Sequence, residues 1–82
     1  MSDEQIYDAL NPIFEEVFLR DDIVLTPELN AKDVEGWDSM KQIEIVMAVE
    51  TEFGFRFHTA DLDSLRNVGD LVRVIREKTG KS

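Results

Sequence analysis

From Met40 to Phe53 the chain contains neither glycine nor proline, and its apolar residues recur at helical spacing. No other stretch constrains the fold as tightly. Gly36 supplies a turn in front of it. Asp38 is a good N-cap, because its carboxylate can accept first-turn N–H groups that have no helical partner. Ser39 then becomes the first helical residue, with Gln42 close enough to help close the turn. Gly54 is the expected C-cap. A serine hydroxyl is thereby placed at a helix N-terminus, where the macrodipole and free N–H groups favour a phosphate.

That helix is apolar on more than one side. Ile45, Val46, Val49 and Phe53 form one stripe at about 100° per residue, consistent with a core face. Met40, Ile43 and Met47 form a second stripe, flanked by Glu44 and Glu50. Methionine side chains suit a surface that adapts to several partners. A small domain can also bury such a helix on most sides, and the pattern alone does not separate the two arrangements.

The remaining elements read as an all-α fold: a small bundle of three main helices plus one short helix, in a single domain over 1–82. Ser2 with Gln5 three residues on starts a helix over about 3–19, carrying Ile6, Leu10, Phe14 and Val17 inward with Tyr7, Ile13 and Phe18 alongside. Pro12 predicts a kink or restart near Asn11. Arg20-Asp21-Asp22 ends the helix. Residues 20–37 then form a long loop anchored by Val24, Leu25, Leu29, Val34 and Trp37, with room for one helical turn at Thr26-Pro27-Glu28-Leu29. Packing is the expected role for Trp37. Phe55-Arg56-Phe57 is an extended link whose aromatics tuck under the helices. Thr59 caps a short helix to about Leu65, with Leu62 and Leu65 inward. Asn67 and Asp70 start the last helix, with Val68, Leu71, Val72 and Ile75 inward. Gly80 ends it, and Arg76, Lys78 and Lys81 sit near its negative end.

Composition excludes several functions. With 82 residues and no cysteine, disulfides, thiolate metal sites and cysteine nucleophiles are ruled out. His58 is the single histidine, there is no G-x-S-x-G elbow, and a surface position is expected for it. Gly80-Lys81-Ser82 resembles the end of a phosphate loop but lacks the upstream glycine. Asp61, Asp63 and Asp70 lack the glycine and closing glutamate of a calcium loop, so no metal site is expected. Residues 1–52 hold fourteen acids against Arg20, Lys32 and Lys41, a balance of −11. Residues 53–82 hold six bases against four acids, a balance of +2. Nucleic acid is a poor partner for that surface, whereas basic protein surfaces are favoured. Neither a signal-peptide layout nor a membrane-spanning run is present, so no membrane insertion and a cytoplasmic location are expected.

Asp38-Ser39-Met40 resembles the Asp-Ser-Leu signature of acyl carrier proteins. The similarity continues through Glu44, Val46-Met47-Ala48, Glu50 and Glu52-Phe53, and length, acidity and later spacing extend it over nearly the whole chain. It implies a phosphopantetheine arm, derived from coenzyme A, on Ser39, with Asp38 capping the site's helix. Acyl intermediates would ride on that arm as thioesters, in fatty-acid, polyketide or related biosynthesis. The resemblance also implies that the protein is no enzyme itself. Implied partners are a phosphopantetheinyl transferase and acyl-activating, synthase or transferase enzymes with basic docking surfaces, met by a monomer through Met40, Ile43, Glu44, Met47 and Glu50. Two departures stand out. Met40 replaces the usual leucine, and Lys41 stands where the family often has a small or acidic residue, which bears on which partner docks. Trp37 resembles carriers of specialised pathways.

Ser39 needs this support, because serines at helix starts usually only cap. Asp38 already does that here, which frees the hydroxyl. A peptidyl or aminoacyl carrier would have the same fold and arm. An acidic helical interaction module, with Ser39 unmodified or phosphorylated, is the alternative of a different class. Core positions are expected at Phe14, Val46, Val49, Phe53, Leu71 and Ile75, with Phe55 and Phe57 beneath. So many bulky side chains leave little room, which predicts that a medium acyl chain stays largely outside the bundle.

Overall fold

Four helices organise the chain in a computed structural model that describes residues 2–80: α1 (Asp3–Phe18), α2 (Ser39–Phe53), α3 (Thr59–Asp63) and α4 (Val68–Thr79). No strand occurs among the described residues. α1 packs against both α2 and α4, so it is the spine of the bundle. The expected fold class is the one observed.

Capping explains where each helix begins. The Gln5 N–H donates to Ser2 Oγ at 3.2 Å, and the Ser2 N–H donates to Gln5 Oε1 at 3.0 Å, which is the reciprocal box read from the sequence. The Asp70 N–H donates to Asn67 Oδ1 at 2.8 Å and starts α4. α3 departs from expectation. Its cap residue is His58, not Thr59, and the His58 N–H donates to Asp61 Oδ2 at 3.0 Å. α3 also stops at Asp63 rather than Leu65, because Ser64 turns its hydroxyl onto the Asp61 carbonyl at 2.8 Å.

α1 runs unbroken through Pro12, so the expected restart at Asn11 does not occur. Pro12 and Asp8 both lie on the solvent side. The Asp8 carbonyl, which loses its N–H partner to the proline ring, can therefore turn to water. The helix ends one residue before the expected boundary. Leu19 adopts a left-handed conformation, φ 55°, and the Arg20 N–H closes back onto the Glu15 carbonyl at 3.2 Å.

The loop from 19 to 38 holds no helical turn at Glu28–Leu29. Only the bond from the Leu29 N–H to the Thr26 carbonyl forms, at 3.1 Å. Further winding is blocked because the carbonyls of Pro27 and Leu29 accept from the Gly69 and Val68 N–H groups, each at 2.9 Å. The loop thus satisfies the exposed donors at the start of α4. Gly69 is required at this crossing, since a Cβ there would lie 2.9 Å from the Pro27 oxygen. Of the expected loop anchors, Val34 is buried and Leu25, Leu29 and Trp37 are half-buried. Val24 is not an anchor at all: it is 75% exposed.

The core unites Ile6, Leu10, Ile13, Phe14 and Val17 of α1, Ile45 and Val49 of α2, and Val68, Leu71, Val72 and Ile75 of α4. Spacings of three and four residues place each set on one helix face. Val46 and Phe53, expected in the core, are only half-buried, because α2 turns Ile45 and Val49 squarely toward α1. Phe53, Phe55 and Phe57 form an aromatic series at 6.5 and 5.0 Å between ring centres, packed against the core as expected. Arg76 pairs with Asp3 at 2.7 Å, and Lys78 with Asp61 at 2.9 Å. Both are thus cross-links to other elements as well as cations in the last turn of α4. Lys81 lies outside the described residues.

Candidate functional site

The loop delivers Ser39 through a short sequence of fixed points. Val34 is buried, and its carbonyl accepts from the Trp37 N–H at 3.2 Å. Gly36 between them has φ +89°, a conformation that a residue with a Cβ rarely adopts. Trp37 sets its indole edge-on against Phe14 and Phe18, with ring centres 5.6 and 5.8 Å away. Its packing role is the one expected. The indole N–H also donates to Gln42 Oε1 at 2.9 Å. Gln42 thus braces the turn from the side, by holding Trp37, rather than by bonding the cap backbone.

Asp38 caps α2: its Oδ1 accepts from the Lys41 N–H at 3.0 Å, and its carbonyl accepts from the Gln42 N–H at 2.9 Å. Ser39 is the first residue of the helix and is exposed. Its hydroxyl has no protein partner among the described residues, and neither have the N–H groups of Ser39 and Met40. The start of α2 thus presents a free hydroxyl and free donors together.

Lys41 has a role that its sequence position does not announce. Its ammonium donates to the Val17 carbonyl at 3.1 Å and lies 3.7 Å from Glu44. A cation is thereby seated on the last carbonyls of α1, where the helix dipole is negative. This contact ties the Ser39 turn to the end of α1.

Two apolar surfaces flank Ser39. Met40, Ile43 and Met47 are 68, 56 and 60% exposed. The second stripe of α2 therefore faces solvent, and the helix is not buried on most sides. Glu44 is exposed beside this stripe. Glu50 is half-buried, and its Oε2 accepts from the Phe57 N–H at 2.8 Å, so it anchors the link after α2. The other surface is an open groove of about 680 Å³ lined by Trp37, Ser39, Gln42, Ile43, Val46 and Leu62, among others. Leu62 was expected to point inward. It is 41% exposed and lines the groove. Neither the groove nor the role of Lys41 could be read from spacing, since each depends on elements distant in the chain.

Of the three acids at 61, 63 and 70, two are paired with cations. Asp61 pairs with Lys78, and Asp70 lies against Arg66 and Arg73 at 3.4 and 3.6 Å. The His58 N–H, with Lys78 beside it, holds the Asp61 carboxyl below its ordinary range. No group of three or more metal-ligating side chains exists among the described residues, and none of the described helices is long and apolar enough to cross a membrane.

Among the described residues, α2 begins with an exposed serine hydroxyl between two apolar surfaces. Comparison with known proteins gives the family. The model of the phosphopantetheine attachment site matches residues 8–75. An acyl carrier protein of Thermotoga maritima is 35% identical over 79 residues, covering 96% of this chain and 98% of that one. A meromycolate extension acyl carrier protein of Mycolicibacterium aurum is 34% identical over 76 residues, covering 93% and 78%. The solution structure of a holo acyl carrier protein from Geobacter metallireducens superposes with a TM-score of 0.84 at 40% identity, covering 89% of this chain and 84% of that one. The chain belongs to the acyl carrier protein family. Its prosthetic group is phosphopantetheine, and it is a carrier for enzymes of acyl metabolism, not an enzyme.

Proposed function

We propose that Ser39 Oγ carries the phosphopantetheine arm and that residues 1–82 act as a single carrier domain for acyl thioesters. The observation that supports this best is the free, exposed Ser39 hydroxyl at the start of α2, with Asp38 occupied in capping. The residues fit the group. A phosphodiester on Ser39 would sit beside the unpartnered N–H groups of Ser39 and Met40, at the positive end of the helix. When attached, phosphopantetheine supplies a thiol on a flexible arm, the reactive sulfur that this cysteine-free chain lacks. What the chain itself contributes is placement: Trp37, Gln42 and Lys41 hold the turn so that Ser39 stays exposed.

The partner face is the exposed stripe Met40, Ile43 and Met47 with Glu44, and Glu50 at its end. Apolar, adaptable side chains beside carboxylates suit basic docking surfaces. Those surfaces belong to a phosphopantetheinyl transferase and to acyl-activating, synthase or transferase enzymes. The names of the relatives favour acyl over aminoacyl cargo, and one of them points to chain extension. We place the protein in the cytoplasm as a monomer that binds neither nucleic acid nor membrane, on the strength of its −9 charge and the absence of a spanning helix among the described residues.

Incubation of the apo protein with coenzyme A and a broad-specificity transferase, followed by intact-mass measurement, tests the assignment. The expected result is one added phosphopantetheine on wild type and none on Ser39→Ala. Equal gain by both proteins would remove Ser39 from the site.

A further inference from the structure

Sulfur occurs in this chain only as three methionines, since it holds no cysteine. Met1 lies outside the described residues. Met40 and Met47 are 68 and 60% exposed, and their spacing of seven residues puts them on one face of α2. Neither belongs to the packed core. Met40 directly follows Ser39. Met47 stands between two open grooves, one lined by Ile13, Val17 and Glu44 and the other by Thr51 and Phe55. A molecule as small as a peroxide therefore reaches both sulfurs from solvent. We propose that Met40 and Met47 form a reversible oxidation site, where hydroperoxides turn the thioethers into sulfoxides and so switch off docking at the head of α2. This rests on the partner face and on Ser39 as the attachment point of the arm.

The chemistry balances without a bound cofactor. A sulfur lone pair attacks a peroxide oxygen, and an S–O bond forms as the O–O bond breaks. The transferred oxygen gives its proton to the departing one, which leaves as water or an alcohol. Sulfur loses two electrons and the hydroperoxide gains them. A thiol-dependent sulfoxide reductase runs the return step, in which two thiols become a disulfide and the oxygen leaves as water. The fold decides what the added oxygens do. Sulfoxidation inside a core breaks packing, but α2 is anchored by Ile45 and Val49, which are buried on a different face. The oxygens on Met40 and Met47 therefore stay in water and leave the bundle intact. A partner that covers the stripe must then strip water from two strong dipoles, which an apolar contact surface cannot satisfy.

The test uses the apo protein, because the thiol of the arm would compete for oxidant. Hydrogen peroxide is added, peptide mapping by mass locates the new oxygens, and loading from coenzyme A with the broad-specificity transferase is timed before and after. Wild type should gain oxygen at Met40 and Met47 and load several-fold more slowly, with its circular dichroism unchanged. Reductases for both sulfoxide epimers, with dithiothreitol, should restore the rate. A Met40→Leu/Met47→Leu protein should keep its own rate after peroxide. Met40→Gln/Met47→Gln, polar without any oxidant, should load slowly from the start. Sulfurs at 40 and 47 that take no oxygen, oxidised wild type that loads at its original rate, or a leucine protein slowed as much as wild type would each overturn the switch. So would loss of helical signal on oxidation, since the effect would then lie in folding. A glutamine protein that loads as wild type does would remove the partner face as well, whereas a slow one beside peroxide-indifferent wild type would sink the switch alone. Absence of any mass gain on untreated wild type would instead remove the Ser39 reading.

Discussion

Gly69 carries more of this fold than its size suggests. Its N–H donates to the Pro27 carbonyl, and any Cβ would press on that same oxygen at 2.9 Å and on the Pro27 Cβ at 3.2 Å. Backbone is in the way, not a flexible side chain, so relief requires the loop to lift from α4. Gly69→Ala should therefore destabilise the protein by about 1–3 kcal/mol, the usual range for forced overpacking. Urea unfolding followed by circular dichroism measures this, and a midpoint equal to wild type would show that the loop yields freely. Leu19 raises the opposite question, since an exposed leucine at φ 55° bears strain without any packing in return. The closing bond from Arg20 to Glu15 is what holds it there.

At the scale of elements, α2 joins two jobs on one cylinder. Ile45 and Val49 are buried on its core side, while Met40, Ile43, Glu44 and Met47 are exposed. Glu44→Lys should slow arm loading several-fold at low salt and make it less salt-sensitive, because charge steering is screened beyond about 10 Å at ~0.1 M salt. Stopped-flow or mass-resolved loading kinetics test this, and identical low-salt rates would reduce Glu44 to a solubilising role. Glu50 is a poorer probe, since reversing it also removes the acceptor of the Phe57 N–H. α3 depends on electrostatics in another way. The Asp61 carboxyl, held below the ordinary value of 3.8 by the His58 N–H and Lys78, binds protons less readily folded than unfolded. Its stabilisation is therefore present above the ordinary carboxylate range and lost as pH falls through the lowered value. Melting temperatures of wild type and Asp61→Asn should converge on acidification below about pH 4 and differ most near neutrality. A constant gap across that range would show that the charge on Asp61 contributes nothing.

Charge is also the main lever on the whole molecule. Fourteen acids crowd residues 1–52, and the cations there are few: Lys41 is held by Val17 and Glu44, and Arg20 by Asp22. Self-repulsion should weaken the compact state at low ionic strength. Sodium chloride or a divalent cation should raise the melting temperature, and calorimetry showing no response to either would mean that the charges lie far enough apart to ignore. The ion pair between Asp3 and Arg76, which ties α1 to the end of α4, is half-exposed and worth only about 0–1 kcal/mol. Core packing, not that pair, closes the bundle.

Local chemistry is what the chain carries openly. Helix starts at Ser2, Asp38 and Asn67, the apolar faces of α1 and α4, and the exposed serine at the head of α2 all follow from spacing and capping within a few residues. Such signals are local because a cap bonds three residues away and a helix face repeats every three to four. Tertiary structure decided the rest. Whether the second α2 stripe is buried or exposed, how Pro12 is tolerated, why Glu28–Leu29 does not coil, and what Lys41 holds all depend on partners far along the chain. The Pro27 and Leu29 carbonyls could have served a helical turn, and they serve α4 instead because its unpaired donors lie closer to them in space than in sequence.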